Sequence, residues 1–264
     1  MSRTWLALIA LLFLAIPSYA QEAIFTRSAT QPAAEVLAWR QQFNYMHYVN
    51  GMNEVSERTI LSYGLEGNLA VEAQLPFITM RGGGEDVTGT GDLTVLFKTR
   101  VWQRHDGPVD TARIGLFGGM AFGIGPTQLT GGGVDPVIGA VFMQVAGRTG
   151  INIATQYQLT TAGSTQPLMP GAGTADLWRT DFAYLYRIFP EQYSTENDAA
   201  WYLTLEANNY FETDGDEELL FSPGLLYEGT KCAIEVGAHL PVARHVTERP
   251  AQGPGVTVGF RLLY

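Results

Sequence analysis

The sequence predicts an all-β chain: a transmembrane antiparallel up-and-down β-barrel of about twelve strands, an even number as in single-chain bacterial barrels. Three observations lead there. From Pro254 to the terminal Tyr264, Val256, Val258, Phe260, Leu262 and Tyr264 share one face of a strand, while Thr257, Gly259 and Arg261 share the other, because successive strand side chains point to opposite faces. The same alternation recurs in segments spaced roughly 20 residues apart, strand and connection together. The chain also opens on an export signal.

Met1 to Ala20 has a basic start at Arg3, an apolar core from Trp5 to Ile16 and a small-residue exit, Ser18-Tyr19-Ala20. This is the pattern of a secretory signal peptide cleaved after Ala20. Its apolar run is too short for a spanning helix, which needs about 20 residues, and no later stretch reaches that length. A helical membrane protein is thereby excluded, but a barrel is not, since its strands need only about ten alternating residues each. The composition, 46% hydrophobic and 16% charged, suits either a barrel or a globular domain.

There are 26 Asp and Glu against 16 Lys and Arg, net -10; losing Arg3 with the leader leaves 15 basic residues and a net of -11. An acidic chain is not built to hold nucleic acid. The single cysteine, Cys232, permits no internal disulfide, so stability in an exported chain falls to backbone pairing. Closing a sheet on itself provides that and leaves no unpaired edge.

The expected plan is a leader over 1–20, a periplasmic N-terminal lead over 21–35 and an outer-membrane barrel over 36–264. The predicted strands are Val36 to Val49, Glu57 to Gly67, Ala70 to Met80, Asp92 to Gln103, Thr111 to Ile124 and Pro136 to Ala146. They continue with Gly150 to Thr161, Leu177 to Phe189, Trp201 to Glu212, Leu219 to Glu228, Lys231 to Ala243 and Gly255 to Tyr264. In the fourth, Leu93, Val95, Phe97 and Val101 oppose Asp92, Thr94, Lys98 and Arg100. In the eighth, Trp178, Phe182, Tyr184, Tyr186 and Ile188 oppose Arg179, Asp181 and Arg187. In the ninth, Trp201, Leu203, Leu205, Ala207 and Phe211 oppose Thr204, Glu206, Asn208 and Glu212; in the eleventh, Ile234, Val236, Ala238 and Leu240 oppose Glu235, Gly237 and His239.

Connections alternate between tight turns, such as Gly67-Asn68 and Glu228-Gly229, and longer outer loops, such as the glycine-rich Arg81 to Gly91 and Gly125 to Asp135, as a barrel with both termini in the periplasm requires. Asn50-Gly51 is short for an outer loop and Pro190 to Asp198 is long for a periplasmic turn, which keeps ten or fourteen strands open.

Chemical motifs are sparse. The triple glycines at Gly82 to Gly84 and Gly131 to Gly133 do not lead into Gly-Lys-Ser/Thr, and so read as loop tips. Asp214, Asp216 and Glu218 begin like a calcium loop but run into Leu219 and Leu220. The histidines lack metal-ligand spacing, and there is no Gly-x-Ser-x-Gly elbow. No catalytic residue, metal or cofactor is expected. Cys232 falls on the lipid side and reads as a buried small hydrophobe.

What stands out is charge of both signs on the wet faces. Arg40, Glu72, Lys98, Arg100, Arg113, Arg179, Asp181, Arg187, Glu206, Glu235, His239 and Arg261 are the lumen-lining candidates, because charges away from bulk water must pair or line a wet channel. They fit either an ion-pair network filling a narrow barrel or a charged passage that selects solutes.

Leu75-Pro76-Phe77, then Gly91-Asp92-Leu93-Thr94-Val95 and Lys98-Thr99-Arg100, resembles the outer-membrane proteins named for the MetA pathway of phenol degradation, often called transporters. Ser222-Pro223-Gly224-Leu225-Leu226-Tyr227-Glu228-Gly229, with Glu235-Val236-Gly237 and Leu240-Pro241, is similar to that family's closing segments. The resemblance implies a medium barrel carrying small solutes such as aromatic compounds, and brings no functional residues with it.

The expectation is an outer-membrane channel or transporter in a Gram-negative bacterium, narrower than the 16 to 18 strands of a wide porin. An outer-membrane enzyme and a plugged structural or adhesive barrel are the alternatives. Expected partners are membrane lipid and lipopolysaccharide, a small solute, and the barrel-assembly machinery through the strand ending at Tyr264.

Overall fold

The computed structural model describes residues 22–107, 110–192 and 198–264; the expected signal peptide and cleavage site lie outside them. The strands are β1 (Leu37–Tyr48), β2 (Asn53–Glu66), β3 (Leu69–Gly82), β4 (Glu85–Thr90), β5 (Leu93–His105), β6 (Thr111–Phe122) and β7 (Val134–Ala146). They continue with β8 (Thr149–Gln158), β9 (Leu177–Phe189), β10 (Ala199–Glu212), β11 (Glu217–Gly229), β12 (Cys232–His245) and β13 (Gln252–Leu263). All belong to one antiparallel sheet. It closes on itself where β1 pairs with β2 on one side and β13 on the other, Arg40 standing opposite Arg261 across the seam.

Thirteen strands make twelve staves. β4 pairs with the outer half of β3, Phe77 to Gly82, and β5 with its inner half, Leu69 to Gln74, so the two share one position in the wall. The interruption falls opposite Pro76, which has no N–H to give to the ladder. Gly91 bridges it by donating its N–H to the Pro76 carbonyl at 3.0 Å. Arg81 to Gly91, expected as a loop, is therefore mostly a hairpin, with β4 held by Val87 against the buried Met80 cluster. Twelve staves also end the choice between ten and fourteen.

Strand alternation sets the two faces. Large apolar side chains such as Phe43, Phe97, Ile138, Phe182, Leu225 and Val258 are exposed on the outside, a continuous apolar surface that is stable only against hydrocarbon. Cys232 is on this outer face and exposed, where burial was expected. Two neighbouring strands break the apolar rule. Gln41 on β1 accepts from the Thr59 hydroxyl on β2 at 2.7 Å, and Glu57 stands between Phe43 and Phe77.

The interior is not an open bore. Residues 22–34, expected as a periplasmic lead, run inside the barrel, with Ala23, Ile24, Thr26 and Ala29 almost wholly buried. The segment rises along β10 to β13, turns near Thr26 and Arg27, descends past β6 and β7, and leaves beside β2 to join β1. Small residues make room for it. A Cβ on Gly237 would come within 2.7 Å of the Phe25 ring, and one on Gly64 within 2.0 Å of the Ala33 carbonyl oxygen. Below the turn, Ala23 closes an apolar cluster with Leu185, Tyr202 and Leu226.

At the outer end the loops fold inward. Leu129 and Leu168, from the connections after β6 and β8, pack with Met46, Ile78 and Met80 of the inner wall. Arg249, before β13, pairs with Glu212 at 2.5 Å and Glu218 at 2.8 Å, all three nearly inaccessible. Asp216 accepts the Thr247 and Glu248 amides at 2.7 and 3.1 Å. The acidic stretch 214–218 is thus spent on tying the last outer loop down.

Candidate functional site: a charged lumen crossed by the N-terminal segment

An irregular segment inside a barrel brings backbone N–H and C=O groups that water no longer satisfies, and each must find a partner. The inner wall supplies them. Glu206 on β10 accepts from three successive amides, Ile24 at 2.8 Å, Phe25 at 3.0 Å and Thr26 at 2.7 Å. Facing the opposite edge of the segment, Arg40 and Gln42 donate to the Ile24 carbonyl, Arg261 donates to Ala23 at 2.9 Å, and Arg179 donates to Phe25 at 2.8 Å. Acid meets donors and base meets acceptors, so the wall charges solvate the backbone.

The same groups pair with one another. Glu235 is held between Arg40 at 2.9 Å and Arg261 at 2.8 Å, with Arg261 also reaching Glu22. Glu72 is shared by Lys98 at 3.1 Å and by Arg27 of the segment at 2.7 Å. Asp181 is bound by Arg179 and by the Asn208 amide. His239 shares a hydrogen bond with Ser222 at 2.9 Å and lies against the Phe25 ring, centroids 4.1 Å apart.

All twelve residues singled out from the sequence sit on the inward side of their strands. The structure gathers Arg40, Glu72, Lys98, Arg179, Asp181, Glu206, Glu235, His239 and Arg261 around the segment. Of the other three, Arg113 lies within electrostatic reach of Glu22, Arg100 donates to the Gly67 carbonyl and Arg187 to that of Pro190. Among the inward charges that were missed are Glu22, Arg27, Glu54 and Arg58. The first two belong to the stretch set aside as a lead. The last two lie on β2, where Glu57 and Thr59 on the outward face blur the alternation.

Beyond the turn of the segment, solvent still reaches inward side chains. Arg27, Arg58, Gln74, Gln156, Arg179 and Tyr210 all point inward yet are partly accessible. Near the outer rim, Asp92 accepts the Gly131 amide at 3.2 Å. Burial pushes its carboxyl up to about 6, against the pull of that amide and with a smaller push from Asp135.

Wall, apolar belt and enclosed lumen define an outer-membrane-type β-barrel. Two solved structures share the architecture. An outer membrane channel from Pseudomonas putida F1 is 14% identical with a TM-score of 0.58, over 90% of this chain and 99% of that one. The NanC porin is 10% identical with a TM-score of 0.53, over 85% of this chain and 98% of that one. At these identities the likeness is one of fold. No protein-family model matches the sequence, and no curated protein does either.

Proposed function

We propose that the protein is an outer-membrane channel that passes small solutes through a narrow charged lumen, with the N-terminal segment setting how wide that lumen is. The observation that carries this is the internal clamp: inward charges of the wall hold an irregular segment of chain inside the barrel. The two structural neighbours reported above are a channel and a porin, which supports the reading. Aromatic solutes, and membership of the phenol-degradation family, are supported by the sequence resemblance alone.

The location follows from the apolar belt, which calls for lipid, with lipopolysaccharide as its natural outer-leaflet contact. β13, with the exposed Tyr264 just beyond it, is the segment we assign to the assembly machinery. Reconstitution of the processed chain in planar bilayers and liposomes tests the function. Discrete conductance and entry of small sugars or organic acids are expected; impermeability to all of them would remove it. The segment itself favours one second reading, a sealed structural barrel, which that impermeable outcome would select.

A further inference from the structure

Among the inward arginines held near the segment, Arg58 is different. Arg27, Arg40, Arg179 and Arg261 each have a carboxylate, whereas Arg58 has neither ion pair nor hydrogen bond among the described residues. A guanidinium carries five donors in a fixed fork, and an enclosed charge without partner or water is costly. Its neighbours relieve it only in part, through Tyr210 and Glu54 within electrostatic reach. Arg179 and Arg27 lie within electrostatic reach, and both carry the same sign.

Position makes this more than an orphan charge. In sheet order β2 and β9 are six steps apart by either route round the wall, so Arg58 and Arg179 face each other across the bore. Tyr210 of β10 lies beside Arg179, whose guanidinium sits 5.2 Å from its ring centre, and Arg27 crowns the segment below, 5.0 Å from the Phe117 ring. The acids nearby are committed elsewhere: Glu72 to Arg27 and Lys98, Asp181 to Arg179, and Glu54 to the hydroxyls of Tyr48 at 2.7 Å and Ser56 at 2.6 Å.

We infer that the chamber above the N-terminal turn is a binding site for a small organic carboxylate, held by Arg58 from one wall with Arg179, Arg27 and Tyr210 opposite and beneath. The two oxygens of a carboxylate match the guanidinium fork. The surrounding arginines raise the local concentration of anions without being freed from their own partners. The Tyr210 ring supplies a flat surface for an unsaturated or aromatic remainder. The inference deepens the channel reading by naming the solute class, and rests on it for its biological sense.

Titration calorimetry on the processed full chain in detergent micelles tests it, using benzoate with benzamide as the neutral isostere and inorganic phosphate as a differently shaped anion. Benzoate is expected to bind, benzamide is not, and phosphate only more weakly. Arg58→Gln is expected to weaken benzoate roughly ten-fold or more, the scale of a lost charge-assisted hydrogen bond. Arg58→Lys, which keeps the charge and loses the fork, is expected to fall between. Retained heat-modifiable migration on gels establishes folding of each variant; if Arg58→Gln does not fold, Arg58→Lys decides, and affinity equal to the unaltered chain overturns the site. So does equal binding of benzamide, preference for phosphate, or benzoate affinity indifferent to Arg58. Calorimetry reads the site whether or not the barrel conducts, so an impermeable barrel that binds benzoate sinks the channel and spares the site, and a conducting barrel that ignores benzoate does the reverse.

Discussion

Glu206 is the residue on which the interior turns, since one carboxylate there satisfies three consecutive buried amides. Removing it leaves three donors without acceptors, at about 1 to 3 kcal/mol each. Glu206→Ala should therefore release the segment, and trypsin should then cut after Arg27; mass spectrometry of the digested, otherwise intact barrel reads the cut, and continued protection would contradict the clamp. Asp92 makes a second residue-scale prediction. Its folded-state carboxyl, pushed up to about 6 mainly by burial, binds a proton that the unfolded chain has already lost. Stability contributed by that proton is present below the ordinary aspartate range and is lost as pH rises through 6. Asp92→Asn should accordingly raise the unfolding free energy read from urea titration at pH 7.5, by no more than about 3 kcal/mol before solvent screening, with the gap closing near pH 4. A pH-independent gap would show that burial is not the cause.

Among the elements, most strands were legible because their lipid face is mainly apolar. β9, Leu177–Phe189, has the bounds that alternation suggests, and its outward Trp178, Phe182 and Tyr186 leave no second register. β4 was hidden because its glycine and acid content, Glu85-Asp86-Val87-Thr88-Gly89, reads as turn chemistry, and only a partner strand already in place converts it into sheet. The N-terminal segment was hidden for another reason: it has no period at all. Its trace in the sequence lies elsewhere, in glycines where the inner wall would otherwise carry side chains. Gly64 is the sharpest of these, with no room for a Cβ beside Ala33. Gly64→Val should expel the segment while the β1–β2 and β2–β3 ladders, whose other pairs lie clear of it, persist. Hydrogen exchange should quicken at the Ile24 to Thr26 amides and stay slow in β1; unchanged protection at Ile24 to Thr26 would refute the packing argument.

For the molecule as a whole, two demands meet on one wall. Hydrocarbon outside dictates that every second side chain be apolar, and an irregular peptide inside dictates that many of those between be charged. The candidate charges could be named from the sequence because alternation assigns them to the interior. Their job could not, because nothing in a strand says what lies opposite it. Ion-pair network and charged passage, open alternatives at the outset, turn out to be joined: Glu235 and Glu72 each bind two cations, and one cation of the Glu72 set comes from the inserted segment. A barrel arranged in this way is narrow because it is occupied rather than because it has few staves. The most direct measurement is single-channel conductance in planar bilayers, comparing the processed chain with one lacking residues 22–33. A several-fold larger conductance is the predicted result, since a wall of twelve staves remains when the segment is gone; equal conductance in the two would contradict the account.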